Sequence, residues 1–140
     1  FTSSEYQEAA IAALNSNLYF WFMTIHSDVR NVNKREIEAF PVTLDKVNPS
    51  ILRELGDLGR DLMRDFSEKS RILTNNYRKY GILHIQSFQP RLSKSIIDEI
   101  DRALARHYGF NDEELDFIIN YDIKYRMGDE LGGDDEGEEI

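Results

Sequence analysis

Apolar residues recur at helical spacing from the start of the chain, after a pair of serines that can cap a helix. Ser4 and Gln7 fit a capping box, so a first helix is predicted over about residues 5–26. Along this helix one narrow stripe collects Ala10, Leu14, Leu18, Trp21, Phe22 and Ile25. The stripe is the expected contact with a hydrophobic core.

The other side of the same helix is also apolar, because Tyr19, Phe20 and Met23 point away from the stripe. A helix that is apolar nearly all round needs cover on two sides. Part of it is therefore expected to face a missing domain or a second copy of the chain. The alternative is that it is simply the central core helix.

A second, longer helix is predicted over about residues 49–80. Asn48 is a suitable cap, Pro49 a suitable first helical residue and Gly81 a suitable stop. The apolar positions recur at spacings of three, four or seven, at Ile51, Leu55, Leu58, Leu62, Phe66, Leu73, Tyr77 and Tyr80. Such a helix is about 48 Å long, so it must project from the domain or pair with another element.

Polar connections flank the long helix. Residues 26–36 are polar and rich in asparagine, which predicts a loop. Ile37 to Val42 contains Pro41 and is expected to form an extended anchor. Residues 82–88 are predicted to be a connector or a brief strand.

Two shorter helices are predicted near the C-terminus, at about residues 95–108 and 112–120. Gly109 follows the first as its C-terminal cap, and Asn111 with Glu114 gives a capping signal for the second. The predicted fold is all-α, a helical bundle in which the long helix packs against the aromatic helix and these two helices.

The chain is expected to contain one domain and a tail. Residues 1–128 form the helical domain, and residues 129–140 form a disordered acidic tail, because a Gly/Asp/Glu sequence cannot bury enough apolar surface to order itself. The chain starts at Phe1 and enters a helical pattern at once, so it is expected to be a piece of a longer polypeptide.

Composition and charge narrow the classes of function. The net charge is −9, yet residues 60–94 hold 8 basic and 3 acidic side chains, and 7 of the acidic residues lie in the tail. The chain has no cysteine, which argues for a reducing, cytoplasmic compartment. No run of about 18 apolar residues occurs, so no membrane partner is expected.

The basic residues of the long predicted helix share one face. The face would carry Arg53, Arg60, Arg64, Arg71 and Arg78. A row of guanidinium groups can follow a phosphate backbone, which makes these arginines candidate DNA contacts. The alternative is a solvated face, because Asp57, Asp61 and Glu68 lie three or four residues away and can pair with them.

Catalytic motifs are missing from the sequence. It contains no glycine-rich phosphate loop, no G-x-S-x-G and no H-E-x-x-H, so no catalytic or cofactor-binding residue is assigned. His26, His84 and His107 have no metal-ligand spacing, and no metal site is assigned either. The acids around Asp122-Ile123-Lys124 lie on predicted helices, which is unfavourable for a nuclease centre.

Two stretches resemble the C-terminal region of adenine-specific DNA methyltransferases of restriction–modification systems. They are LNSNLYFWFMTIHSDVRNVNKREIEAFPV at 14–42 and SKSIIDEIDRALARHYGFNDEELDFIINYDIKYRMG at 93–128. The resemblance implies a non-catalytic part of an enzyme whose catalytic and target-recognition domains share one chain. S-adenosylmethionine would bind the upstream catalytic domain, since the family's Asn-Pro-Pro-aromatic motif is not matched by Asn48-Pro49-Ser50.

The resemblance also implies a partner, double-stranded DNA, alongside the upstream methyltransferase and recognition domains. The candidate DNA contacts of the loop are Arg30, Asn31, Asn33, Lys34 and Arg35. Arginine and lysine bind phosphates or guanine, and asparagine binds adenine. The same side chains could instead fix the loop through their own backbone. The competing class of function is a helical protein-interaction module, for example a homodimer, without DNA contact.

Overall fold

The computed structural model describes residues 2–26 and 34–122. Within these ranges the chain is mostly helical and carries one small antiparallel sheet. The helices are α1 (Ser3–Leu14), α2 (Asn17–His26), α3 (Lys34–Ala39), α4 (Pro49–Lys69), α5 (Lys94–Tyr108) and α6 (Asp112–Asp122). The strands are β1 (Arg71–Tyr77) and β2 (Gly81–Ser87), and short 3-10 turns cover Leu44–Lys46 and Pro90–Ser93.

The predicted N-terminal helix is divided into two at Asn15 and Ser16. Ser16 Oγ accepts a hydrogen bond from the Tyr19 amide at 3.0 Å and donates one to the Ala13 carbonyl at 2.6 Å. Ser16 therefore caps a new helix while it closes the old one. The prediction of one helix over residues 5–26 is wrong, and its continuous apolar stripe is interrupted at this point.

Helix α1 packs closely against α4 because both helices present small residues at the crossing. Ala9, Ala12 and Ala13 of α1 are fully buried. A Cβ on Gly59 of α4 would lie 2.2 Å from the Glu8 carbonyl oxygen, so only glycine permits this approach of the two backbones. The core is completed by the buried side chains of Leu52, Leu55 and Leu62 from α4 and Ile97, Ile100 and Leu104 from α5.

Helix α2 is covered on more than one side by the described chain itself. Its buried Tyr19 meets Phe40 edge-on, with ring centroids 5.1 Å apart. Phe20 lies 5.9 Å from the ring of Tyr121 on α6. Phe40 and α6 therefore cover much of the apolar surface that was expected to face a missing domain. Ile25 remains 55% exposed.

The long helix ends at Lys69, and the prediction that it continues to residue 80 is wrong. Residues 71–87 form a β-hairpin instead. Leu73 and Tyr77 are four residues apart, a spacing that puts two side chains on one face of a strand as well as of a helix. Gly81 is not a helix stop but a turn residue, with φ of 75° that glycine adopts without strain.

The C-terminal helices match their predicted ranges closely. Gly109 ends α5 in the left-handed conformation with φ of 73°, as expected of a C-terminal cap. Asn111 and Glu114 exchange two backbone-to-side-chain hydrogen bonds, which confirms the predicted capping signal of α6. The extended anchor predicted for residues 37–42 is wrong in its first half, because α3 runs through Ala39.

Candidate nucleic-acid interface

The β-hairpin projects from the helical body with both of its faces open. Every residue of β1 is exposed, and only Ser87 of β2 is not. The strands pair in register from Arg71 with Ser87 to Tyr77 with Gly81, and residues 78–80 form the turn. An isolated two-stranded hairpin is marginally stable in water, so this one depends on its attachment or on a partner.

The register gives the hairpin two faces of different chemistry. One face, here called the apolar face, carries Leu73, Tyr77, Leu83 and Ile85 around Asn75, with Arg71 and Ser87 at its base. The other, here called the mixed face, carries Ile72, Thr74, Asn76, Ile82, His84 and Gln86. Ile72 and Ile82 on the mixed face are 61% and 64% exposed, against 36% for Leu83 on the apolar face. The mixed face is thus the more open to a partner.

The hairpin and its flanks contain no carboxylate. From Lys69 to Ile97 there is no Asp or Glu, and the cations are Lys69, Arg71, Arg78, Lys79, Arg91 and Lys94. Arg78 and Lys79 lie at the turn, where Lys79 Nζ is 5.3 Å from the ring centre of Tyr80. At the flanks, Lys69 and Lys94 pair with Asp65 and Asp98 of the body. The segment as a whole carries a local excess of positive charge in an acidic protein.

The hairpin is held by its base. The rings of Phe66 and Phe88 lie 6.3 Å apart, and the Gln86 amide donates to Ser70 Oγ at 2.9 Å. Below them the buried Ser93 hydroxyl donates to Asp65 at 2.6 Å, and this hydrogen bond is the main cause that lowers the pKa of Asp65. These contacts fix where the hairpin leaves α4, while its tip extends into solvent.

Of the candidate DNA contacts in the 26–36 segment, two lie in the described part of the chain. Lys34 and Arg35 begin α3, and their side chains are 87% and 85% exposed. Lys34 lies 3.5 Å from Glu38, and Arg35 lies 3.9 Å from Glu36. The other three candidates, Arg30, Asn31 and Asn33, are outside the described residues.

The arginine stripe does not exist as one helix face. Arg53, Arg60 and Arg64 lie on α4, whereas Arg71 lies on β1 and Arg78 at the turn. The stripe prediction is wrong because it required a single helix over residues 49–80. It assigned to α4 two cations that belong to the projecting hairpin.

The arginines that remain on α4 have acidic partners within the body. Arg60 pairs with Glu8 of α1 and with Asp57, and the hydrogen bond that it donates to Glu8 is the main cause that raises the pKa of Arg60. Arg64 lies 3.6 Å from Asp61. This pairing is the arrangement expected of a solvated helix face.

A buried carboxylate joins α5 to the beginning of α2. Asp101 is 2% exposed and accepts hydrogen bonds from the amides of Asn17 and Leu18 at 3.2 and 3.0 Å, and from the Asn17 side chain at 2.6 Å. Burial raises the pKa of Asp101 to about 7, although these hydrogen bonds oppose the shift. The carboxylate of Asp101 accepts hydrogen bonds from amides that no intrahelical carbonyl reaches, so its role is to hold the first turn of α2.

Sequence reasoning did not place the mixed face or Lys79 among the candidate DNA contacts. Two signals were available in the sequence. The first is the unbroken absence of Asp and Glu from Lys69 to Ile97, and the second is the group of β-branched residues around a turn that ends in glycine. The spacing of Leu73 and Tyr77 also fits a helix, and for this reason neither signal was used to predict a hairpin.

No protein-family model matches the chain, and no match was found among curated proteins or among solved structures. Across residues 2–26 and 34–122, no helix has the length and apolar character needed to cross a membrane. In the same ranges, no three metal-ligating side chains come together as an ion site.

Proposed function

We propose that this chain is a non-catalytic, C-terminal region of an adenine-specific DNA methyltransferase of a restriction–modification system, and that it contributes to target recognition on duplex DNA. Methyl transfer from S-adenosylmethionine is assigned to an upstream domain of the same cytoplasmic polypeptide. The proposal rests on the resemblance of residues 14–42 and 93–128 and on one structural observation, the carboxylate-free projecting hairpin.

The two resembling stretches are in direct contact, which supports treating them as parts of one unit. Asp101, in the second stretch, binds the amides that open α2 in the first stretch. Phe20 and Tyr121 extend the same contact to α6. The unit therefore positions both α3, with Lys34 and Arg35, and the base of the hairpin.

Direct contact with DNA is supported by the hairpin's charge and shape. Its cations lie on an arm without neighbouring carboxylates, whereas Arg60 and Arg64 on the body are paired. Neutralising phosphates releases counterions, so basic, carboxylate-free surfaces provide most of a protein's salt-sensitive affinity for DNA. In the described chain, the hairpin combines this charge with strands that project from the body and are exposed to solvent.

The proposal is tested by titrating a labelled duplex with the chain at several salt concentrations and following fluorescence anisotropy. Binding is expected to weaken steeply as salt rises, and Arg30→Ala, Lys34→Ala and Arg35→Ala should each reduce the slope by about one if they touch phosphates. An unchanged slope in all three removes that segment from the interface. Absence of binding at low salt contradicts the DNA-recognition role.

The assignment to a methyltransferase has its own test in the coding sequence. Upstream of Phe1, a glycine-rich cofactor loop and an Asn-Pro-Pro-aromatic motif are expected, because the resemblance places the catalytic domain there. An upstream reading frame without either motif contradicts this assignment and leaves the DNA titration as the test of the recognition role.

A second candidate function, a protein-interaction module, is favoured by one observation. The apolar face exposes Leu73, Leu83, Ile85 and Tyr77 without cover from the described chain. A second copy could bury this face in a homodimer. Sedimentation at micromolar concentration would then show a dimer, and a strict monomer would exclude this alternative.

A further inference from the structure

We propose that the hairpin enters the major groove of duplex DNA with its mixed face toward the base edges, while Arg78 and Lys79 at the turn bind phosphates. This inference rests on the proposed function and deepens it, because it assigns recognition to residues outside the resembling stretches. The proposal follows from the dimensions of the hairpin, the chemistry of the mixed face and the placement of the cations.

The dimensions fit the major groove. Two paired strands lie about 4.8 Å apart, so with side chains a ribbon suits a groove of about 12 Å but not a minor groove of about 6 Å. Strands of seven residues reach about 24 Å, which corresponds to about seven base pairs along the duplex. Because contact with the body is limited to the base of the hairpin, the arm can enter without displacing a helix.

The mixed face presents the chemical groups that base edges display. Asn76 can form the paired hydrogen bonds by which asparagine recognises adenine. Thr74 Oγ1 and His84 Nδ1 are 2.9 Å apart, so their hydrogen bond orients the imidazole across the strands. Ile72 and Ile82, both more than half exposed, provide methyl groups that can contact the methyl group of thymine.

The charge distribution favours DNA over an apolar partner for the mixed face. Hydrogen-bonding side chains alternate with isoleucines there, whereas a protein or a lipid partner would suit the apolar face better. Arg78 and Lys79 lie at the turn, beyond the end of the mixed face, and Arg71 lies at the base of the hairpin on the opposite face. Phosphate contacts at the ends of a reading element fix its register in the groove.

Two adjacent asparagines offer a matched test. Asn76 belongs to the mixed face, while Asn75 belongs to the apolar face, where its amide donates to Tyr77 Oη at 3.3 Å. Duplexes bound by the chain are selected from a randomised pool, and the affinity for the selected sequence is compared for Asn76→Ala and Asn75→Ala. Far-UV circular dichroism and hairpin amide NMR signals establish that each variant retains the fold.

Asn76→Ala is expected to lose about 5- to 150-fold in affinity for the selected sequence and to relax the preference at one or two base pairs, with an unchanged salt slope. Asn75→Ala is expected to keep both affinity and preference. Arg78→Ala and Lys79→Ala should each lower the salt slope by about one without altering the preferred sequence. Arg102→Ala, which removes an exposed cation paired with Glu99 on α5, should leave the slope unchanged.

Different failures have different meanings. Equal effects of Asn75→Ala and Asn76→Ala, or no effect of either, overturn the groove proposal. If binding survives all hairpin variants but is lost in Lys34→Ala and Arg35→Ala, the groove proposal is overturned while the proposed function stands. If the chain binds no duplex at low salt, both the groove proposal and the proposed function are contradicted. A dimer abolished by hairpin substitutions would show that the arm pairs with a second copy, which also overturns the groove proposal.

Discussion

The helical body and the hairpin contain similar apolar residues, but the body buries them and the hairpin exposes them. In the body, leucines and isoleucines are buried, and the opening amides of α2 have a partner in Asp101. In the hairpin, isoleucines and leucines are exposed and the backbone ladder provides the order. Apolar burial stabilises the body, whereas the hairpin gains little from it. Low local stability is typical of elements that bind a partner, and this contrast is the basis of the functional proposal.

The largest expected difference between the two regions is in their response to the loss of an apolar side chain. Leu104→Ala should lower the free energy of unfolding by about 2–5 kcal/mol, because it leaves a cavity in the core. Ile82→Ala in the hairpin should change it by less than about 0.5 kcal/mol, because this side chain is 64% exposed. Urea denaturation monitored by circular dichroism measures both. A comparable loss for the two variants would show that the hairpin is part of the folded core.

The next largest effect is expected at the crossing of α1 and α4, where two glycines form a matched pair. Gly59→Ala should lower the free energy of unfolding by about 1–3 kcal/mol, because its Cβ would meet the Glu8 carbonyl. Gly56→Ala should raise it by up to about 1 kcal/mol, because its Cβ would lie at an ordinary 3.8 Å from the Glu5 carbonyl and alanine favours a helix. Thermal unfolding distinguishes the variants, and equal shifts would contradict the close approach of the helices.

Asp101 is expected to make the stability of the body depend on pH. Its pKa is raised from 3.8 in the unfolded chain to about 7 in the folded protein, so its contribution to stability is full below pH 3.8 and is lost as pH rises through 7. Between these values the free energy of unfolding should fall with rising pH more steeply than in Asp101→Asn. Denaturant titrations at several pH values give both slopes. Equal slopes would show that the hydrogen bonds to Asp101 cancel the effect of burial.

The sequence predicted those elements whose signals are local. The caps of the two C-terminal helices depend on residues next to the helix ends, Gly109 for α5 and Asn111 with Glu114 for α6. Both caps form as expected. The division at Ser16 was not predicted because an apolar pattern continues across it. The buried amides of α2 find their acceptor in Asp101, more than 80 residues away, and such a long-range contact leaves no local signal.

The hairpin was missed for a different reason. Leu73, Tyr77 and Tyr80 fit a helical repeat, and the arginines fall on one face of the same predicted helix. The spacing of Leu73 and Tyr77 is equally compatible with one face of a strand. The β-branched residues and Gly81 favour a hairpin over a helix. Because Arg71 and Arg78 belong to the projecting hairpin and not to a helix face, the candidate DNA surface lies beyond the end of α4.

The contact between the hairpin and DNA is tested most directly by a two-dimensional ¹⁵N NMR titration of the chain with a short duplex. Changes in amide chemical shift are expected to concentrate in residues 71–87, with the largest changes on the mixed face and at the turn and the smallest in the buried segments of α1, α4 and α5. Shifts confined to the helical body, with an unchanged hairpin, would contradict this contact.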